Sequence, residues 1–189
     1  LDPQKLYFLK DDIDYFSAYR ERLHGALKTG QLEPGFNIYN LFQSRYIDRL
    51  TKKIALIEND LPNFDFTKDE YIETDRENAK WASSTTELDN LWRKRIKSAA
   101  LSLKLNGKTI KEAQEELHKR YTTQLKRSLQ VRSEDAFQSY MNAFTTVYDP
   151  HTTYFSPRSS ENFNINMSLS LEGIGAVLQS DNEFTKVVR

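Results

Sequence analysis

The sequence predicts a mainly α chain, a multi-helix N-terminal domain over residues 1–165 followed by a short β segment over 166–189. Three observations carry this. Apolar residues recur at three- and four-residue spacing through most of the chain, the pattern of a helix with one buried face. Helix-start pairs stand at Thr67 with Glu70 and at Thr109 with Glu112, each able to satisfy two orphan N–H groups of a first turn. Near Met167 the apolar period falls to two, the period of a strand.

In chain order, Asp11 and Asp12 can cap a helix that carries Ile13, Phe16, Ala18, Leu23 and Leu27 and stops at Gly30. Pro34 suits a first helical turn. The stretch from Phe36 to about Asn59 is apolar on one face through Ile38, Leu41, Phe42, Ile47, Leu50, Ile54 and Ile57, and Pro62 ends it. Thr67 and Glu70 predict a short helix toward Trp81, and the run Ser83 to Thr86 breaks the chain again. Leu88, Leu91, Trp92, Ile96, Ala99 and Leu103 mark the next helix, closed by Asn106 and Gly107. Thr109 opens a helix through Ala113, Leu117, Tyr121, Leu125 and Leu129. Ser133 opens another through Phe137, Tyr140, Met141 and Phe144, ended by Asp149 and Pro150. Ser156 and Pro157 read as the cap and first turn of a short helix to about Asn166. Met167 to Leu171 then alternates as a strand, Gly173 and Gly175 follow, and Ala176 to Leu178 is apolar again. The domain change falls between about 160 and 172.

Composition narrows the function classes. Lys plus Arg and Asp plus Glu are equal at 27 each, which argues against nucleic acid or an anionic membrane as the main partner. There is no Cys, so disulfides, thiolate metal sites and cysteine nucleophiles are excluded. No apolar run approaches the roughly 20 residues of a membrane span. The chain opens at Leu1 without an initiator Met and stops at Arg189 in a β-branched run; both ends read as cuts in a longer protein.

One pattern repeats. Asp2 and Pro3 are followed by Tyr7, Phe8 and Phe16; Asp149 and Pro150 are followed at the same offsets by Tyr154, Phe155 and Phe163. An Asp-Pro turn anchored to a helix by an aromatic pair and a later Phe reads as a repeated structural device rather than a catalytic one.

Catalytic and metal constellations are missing from the pattern. His24, His118 and His151 are far apart with no ligand spacing. No GxSxG elbow, SxxK pair or phosphate-cradling loop occurs. The acidic residues Asp60, Asp65, Asp69, Glu70, Glu73 and Asp75 lack calcium-loop spacing and read as a solvated surface. Arg93, Lys94, Arg95 and Lys97 read as a solvated helix face, with an acidic docking partner as the alternative. Trp81 and Trp92, and the Tyr and Phe residues of 1–46, read as core rather than as a ligand cage. No metal and no cofactor is expected.

The positive chemical signal is Gly173, Ile174, Gly175 and Ala176, set between two apolar strand patterns. Gly permits positive φ in an ordinary turn. The same context is that of a PDZ carboxylate loop, where successive backbone N–H groups converge on a peptide's terminal carboxylate and the peptide pairs with the strand that follows.

The stretch YDPHTTYFSPRSSENFNINMSLSLEGIGAVLQ, residues 148–179, resembles the junction of the tail-specific, or C-terminal-processing, peptidases, which carry DPxTxYxSP and then a GIG loop opening a PDZ domain. Upstream, LDPQKLYFLKDDIDYF, NFDFTKDE, LDNLWRKRIK, LKLNGKTI and SEDAFQSYMNAF resemble the helical N-terminal region of the large branch of that family. The resemblance spans nearly the whole chain. It implies a serine endopeptidase with a Ser–Lys dyad, located in the bacterial periplasm near the inner membrane, that recognises apolar C-terminal tails of protein substrates through its PDZ domain. It implies that Gly173, Ile174, Gly175 and Ala176 form the carboxylate loop and that residues 166–189 begin the PDZ domain. The helical domain would shape access to the catalytic bowl and is a place for a lipoprotein adaptor to dock. No position in this segment matches the catalytic Ser or Lys, so the segment alone is expected to be inactive, and its unfinished sheet edge invites strand pairing between copies. The competing reading is a freestanding helical binding or adaptor module with no catalytic activity.

Overall fold

The computed structural model describes residues 1–168, 176–181 and 184–188. Among these, seven α-helices and two short strands follow in order: α1 Lys10–Ser17, α2 Leu23–Lys28, α3 Glu33–Asn59, α4 Thr85–Leu105, α5 Ile110–Ser128, α6 Ser133–Tyr148, α7 Pro157–Ser168, β1 Val177–Asp181 and β2 Phe184–Val188. The chain divides into two compact units, Leu1–Val131 and Arg132–Arg189. The mainly α expectation holds.

The first unit is built on α3, α4 and α5. Ile57 and the following Leu61, Ile96 and Ala100 of α4, and Leu117 of α5 form a core with no exposed surface. Burying each of the larger ones contributes roughly 1.5–3 kcal/mol. The helix ends follow from local chemistry. Ser84 Oγ accepts from the Glu87 N–H at 3.3 Å to start α4, and Thr109 with Glu112 forms the predicted reciprocal box at α5. At the end of α4, Gly107 takes φ 88°, and the N–H groups of Gly107 and Lys108 reach back to the carbonyls of Lys104 and Leu103 at 3.0 and 3.1 Å. Gly30, φ 71°, closes α2 in the same way, with Gln31 N–H on the Ala26 carbonyl at 2.7 Å. Both positions need the left-handed backbone that only Gly adopts without strain.

Three expectations are overturned. The single helix from Asp11 to Leu27 is two, because residues 18–22 run through three-residue turns that bury Tyr19. The Tyr19 hydroxyl is held by Tyr15 and by the Asn37 amide of α3, both at 2.9 Å. Asp12 serves α1 from its third position, accepting from the Leu9 N–H at 2.9 Å while Arg45 of α3 grips the same carboxylate. The helix predicted from Thr67 toward Trp81 does not form. Asp65 takes the Thr67 N–H and hydroxyl at 2.9 and 2.6 Å, and Glu70, the other half of the box, is bound by Arg93 and Lys97 of α4. A tertiary ion pair therefore outcompetes a local cap. Finally, the strand predicted for Met167 to Leu171 is contradicted at its start, since Met167 and Ser168 complete α7; residues 169–171 lie outside the described residues.

In the second unit, α6 leads through residues 149–156 into α7, and β1 pairs with β2 in an antiparallel hairpin, Val177 opposite Val188 and Asp181 opposite Phe184. The apolar strand expected after Ala176 is β1.

Candidate functional site

Of the four predicted loop residues, Gly173, Ile174 and Gly175 lie outside the described residues. Ala176 is described: it is half-buried and leads directly into β1.

The junction ahead of it shows what its residues do. Asp149 accepts from the Thr152 hydroxyl at 2.6 Å and the His151 N–H at 3.0 Å, which together hold its carboxyl below the usual carboxylate range. Asn142 and Gln138 of α6 accept from the N–H groups of Tyr154 and Ser156 at 2.7 and 2.9 Å, and the Tyr154 ring meets Phe137 edge-on. Ser156 Oγ caps α7 by accepting from the Ser159 N–H at 3.3 Å, with Pro157 in the first turn. Asp149, Tyr154, Ser156 and Pro157 of the junction motif thus shape or anchor backbone.

The internal echo is structural. The Lys5 N–H bonds the Asp2 carbonyl and the Thr152 N–H bonds the Asp149 carbonyl, each at 3.1 Å. Phe8 meets Phe16, and Phe155 meets Phe163, each with centroids 5.1 Å apart. The copies differ in burial. Asp2 is 7% exposed and accepts three backbone N–H bonds, from Leu6, Tyr7 and Phe8 at 2.8, 2.8 and 3.0 Å, whereas Asp149 is exposed.

Sequence reasoning missed the most unusual feature of the first unit. Lys53 of α3, which the apolar pattern passes over, is 2% exposed. Its ammonium lies 3.3 Å from the Trp92 ring centroid, 4.9 Å from Tyr121 and 5.5 Å from Tyr7. Each such contact contributes about 0.5–2 kcal/mol, against a desolvation penalty of several kcal/mol for a buried ion. Burial first, then the positive charges of Arg49 and Arg95, pulls the Lys53 pKa from 10.5 down to about 7. Trp92 is core, as expected, and donates its indole N–H to the Leu6 carbonyl at 2.8 Å, which ties the Asp2 turn to α4. The signal available in the sequence was spacing: Lys53 stands three residues after Leu50 and four before Ile57, inside the buried stripe.

These rings and Lys53 line a cleft of about 470 Å³, together with Arg95 and Arg120. The predicted solvated basic face is corrected at two positions. Lys97 is buried and bonds Glu70 at 2.6 Å, and Arg93 pairs with the same carboxylate. Glu70, expected on a solvated acidic surface, is largely covered, and the two cations, Arg93 first, draw its pKa to about 2. Among the described residues, no group of three or more His, Cys, Asp or Glu side chains is placed to hold a metal ion, and no helix is long and apolar enough to cross a membrane.

The fold and the junction together define a helical N-terminal module that runs into a β hairpin. Residues 1–158 match the family described as the tail specific protease N-terminal domain. A tail-specific protease of Haemophilus influenzae is 37% identical over 177 residues, covering 93% of this chain and 25% of that protein. The chain belongs to the tail-specific protease N-terminal domain family, and it spans about a quarter of the length of that relative.

Proposed function

We propose that the chain is the substrate-handling N-terminal part of a periplasmic tail-specific serine endopeptidase, whose Ser–Lys dyad lies outside this segment. Residues 1–165 form its helical domain and residues 166–189 begin its PDZ domain. The observation that carries the reading is the family match over residues 1–158 followed by Gly173 to Ala176 directly ahead of a strand. Main-chain N–H groups around Ile174 receive the terminal carboxylate of an apolar protein tail, and the tail pairs with the adjoining strand. Glycines keep side chains out of the anion's approach. A lipoprotein adaptor docking on the helical domain, and strand-mediated pairing of truncated copies, are further parts of the same reading.

The test uses the full-length enzyme and a denatured reporter with an apolar tail. Amidating the reporter's C-terminus removes the anion, so cleavage is expected to slow; equal cleavage of acid and amide overturns the role given to Gly173–Ala176. The 189-residue chain should leave both reporters intact.

A further inference from the structure

The first unit buries three cationic side chains, Arg49, Lys53 and Lys97. Arg49 pairs with Asp89 and Lys97 with Glu70. Lys53 takes part in none of the described ion pairs; its neighbours are three aromatic faces. Arg95, whose guanidinium lies 5.2 Å from the centroid of the same Trp92 ring, likewise enters no described ion pair. Two positive charges thus share one indole, and like charges at close range disfavour each other unless an anion lies near both. The cleft they line includes a third cation, Arg120, which is paired to Glu116 at 3.0 Å, and no Asp or Glu is among its lining residues. The adjoining cleft on the other side of Lys53 does include Asp60 and Asp89, so the lack of carboxylates belongs to this side alone.

We propose that this cleft is a carboxylate-binding site, in which Lys53 and Arg95 receive the anion that the fold itself does not supply. Pairing favours a buried charge, and an anion entering this cleft would give Lys53 and Arg95 the pair that its lining residues do not offer. With Arg120 already paired, Lys53 and Arg95 are the two cationic donors left, and a carboxylate has an oxygen to offer each. The walls are Trp92, Tyr7 and Tyr121, so the carboxylate is one carried on an apolar body. Burial raises the Tyr7 and Tyr121 pKa values, so both hydroxyls stay protonated as donors. A bound anion would offset the desolvation of Lys53 and raise its pKa. The inference stands on the cleft's own charges, independently of the role proposed for Gly173–Ala176.

The source of the carboxylate is a polypeptide terminus or an Asp or Glu side chain, and the probes separate these. The 189-residue chain is titrated at pH 6 and low salt with acetyl-Ala-Leu-Ala as its free acid, with acetyl-Ala-Leu-Glu-Leu-Ala-amide, with the Gln analogue of that amide, and with inorganic phosphate. The readout is the NMR shift of the Trp92 indole N–H, with Trp81 assigned through Trp81→Phe. Saturable binding by either carboxylate, about tenfold tighter than the Gln analogue, supports the site, and the tighter of the two identifies the source. Lys53→Met should abolish binding. Arg95→Gln, at a half-exposed position that leaves the core intact, should weaken it about fivefold or more. No saturable shift with either carboxylate overturns the proposal, as does equal binding of the Gln analogue, phosphate binding as tight as the peptides, or unchanged binding by Arg95→Gln.

Discussion

Removing the Asp2 carboxylate should unfold the first unit far more readily than removing Asp149 affects the second, although the two residues stand at equivalent places in a repeated motif. Asp2 Oδ1 accepts from the Leu6 N–H and Oδ2 from those of Tyr7 and Phe8. Leu6 and Phe8 are buried, and Lys5 between them and Asp2 holds φ at 52°, a strained conformation that the three bonds help to maintain. In Asp2→Ala, three N–H groups lose a charged acceptor. At roughly 1–2 kcal/mol for each group left unpaired, the loss is about 3–6 kcal/mol. Asp2→Asn should cost less than Asp2→Ala, because the amide oxygen can take the Oδ2 place and keep the Tyr7 and Phe8 bonds, leaving only the Leu6 N–H facing a donor. Asp149→Ala removes bonds to exposed partners, His151 and Thr152, and should cost under about 1 kcal/mol. Urea unfolding followed by Trp fluorescence reads the first unit, since Trp81 and Trp92 both lie in it. Amide hydrogen exchange reads the two units separately. If Asp2→Ala shifted stability by less than about 1 kcal/mol, or no more than Asp149→Ala, the account of the anchor would be wrong.

Two pH dependences follow from the buried charges. Lys53 has a folded pKa near 7 against 10.5 unfolded, so between those values the unfolded chain binds more protons and stability rises with pH; below 7 the cost of the buried charge is fully present. From pH 7 to 9.5 the rise is about 3 kcal/mol at roughly 1.4 kcal/mol per pH decade. The attraction of the three rings for the ammonium acts against it. Lys53→Met should lack this slope while Arg49, Arg95, Tyr7 and Tyr121 contribute alike to both proteins; parallel urea-derived stability curves for the two would contradict the burial argument. Glu70 gives a slope of the same sign in a lower window and for a different reason: its partners, Arg93 first, lower its pKa from 4.5 to about 2. Its stabilisation is present above 4.5 and lost as pH falls through 2, so the thermal midpoints of the native chain and Glu70→Gln should differ at neutral pH and converge near pH 2. A gap that stays constant over that range would remove Glu70 from the account.

Much of this protein was legible in the order of its residues. The caps at Thr109 and Ser156, the stops at Gly30 and Gly107, the long apolar face ending at Ile57 and the Asp2/Asp149 echo all depend on neighbours within a few positions, and short-range rules read them correctly. The same rules failed where a distant partner competed. Glu70 abandons its local box for Arg93 and Lys97, and Tyr19 breaks a helix to reach Asn37. Lys53 shows the limit most plainly. Its spacing places it within a buried stripe, but only the convergence of α3, α4 and α5 brings Trp92 and Tyr121 onto its ammonium and leaves Arg95 as a neighbour with no carboxylate between them. Local backbone chemistry is written in adjacent residues; whether a charge is buried, and what faces it, depends on side chains that the sequence separates by 39 and 68 positions, Lys53 to Trp92 and Lys53 to Tyr121.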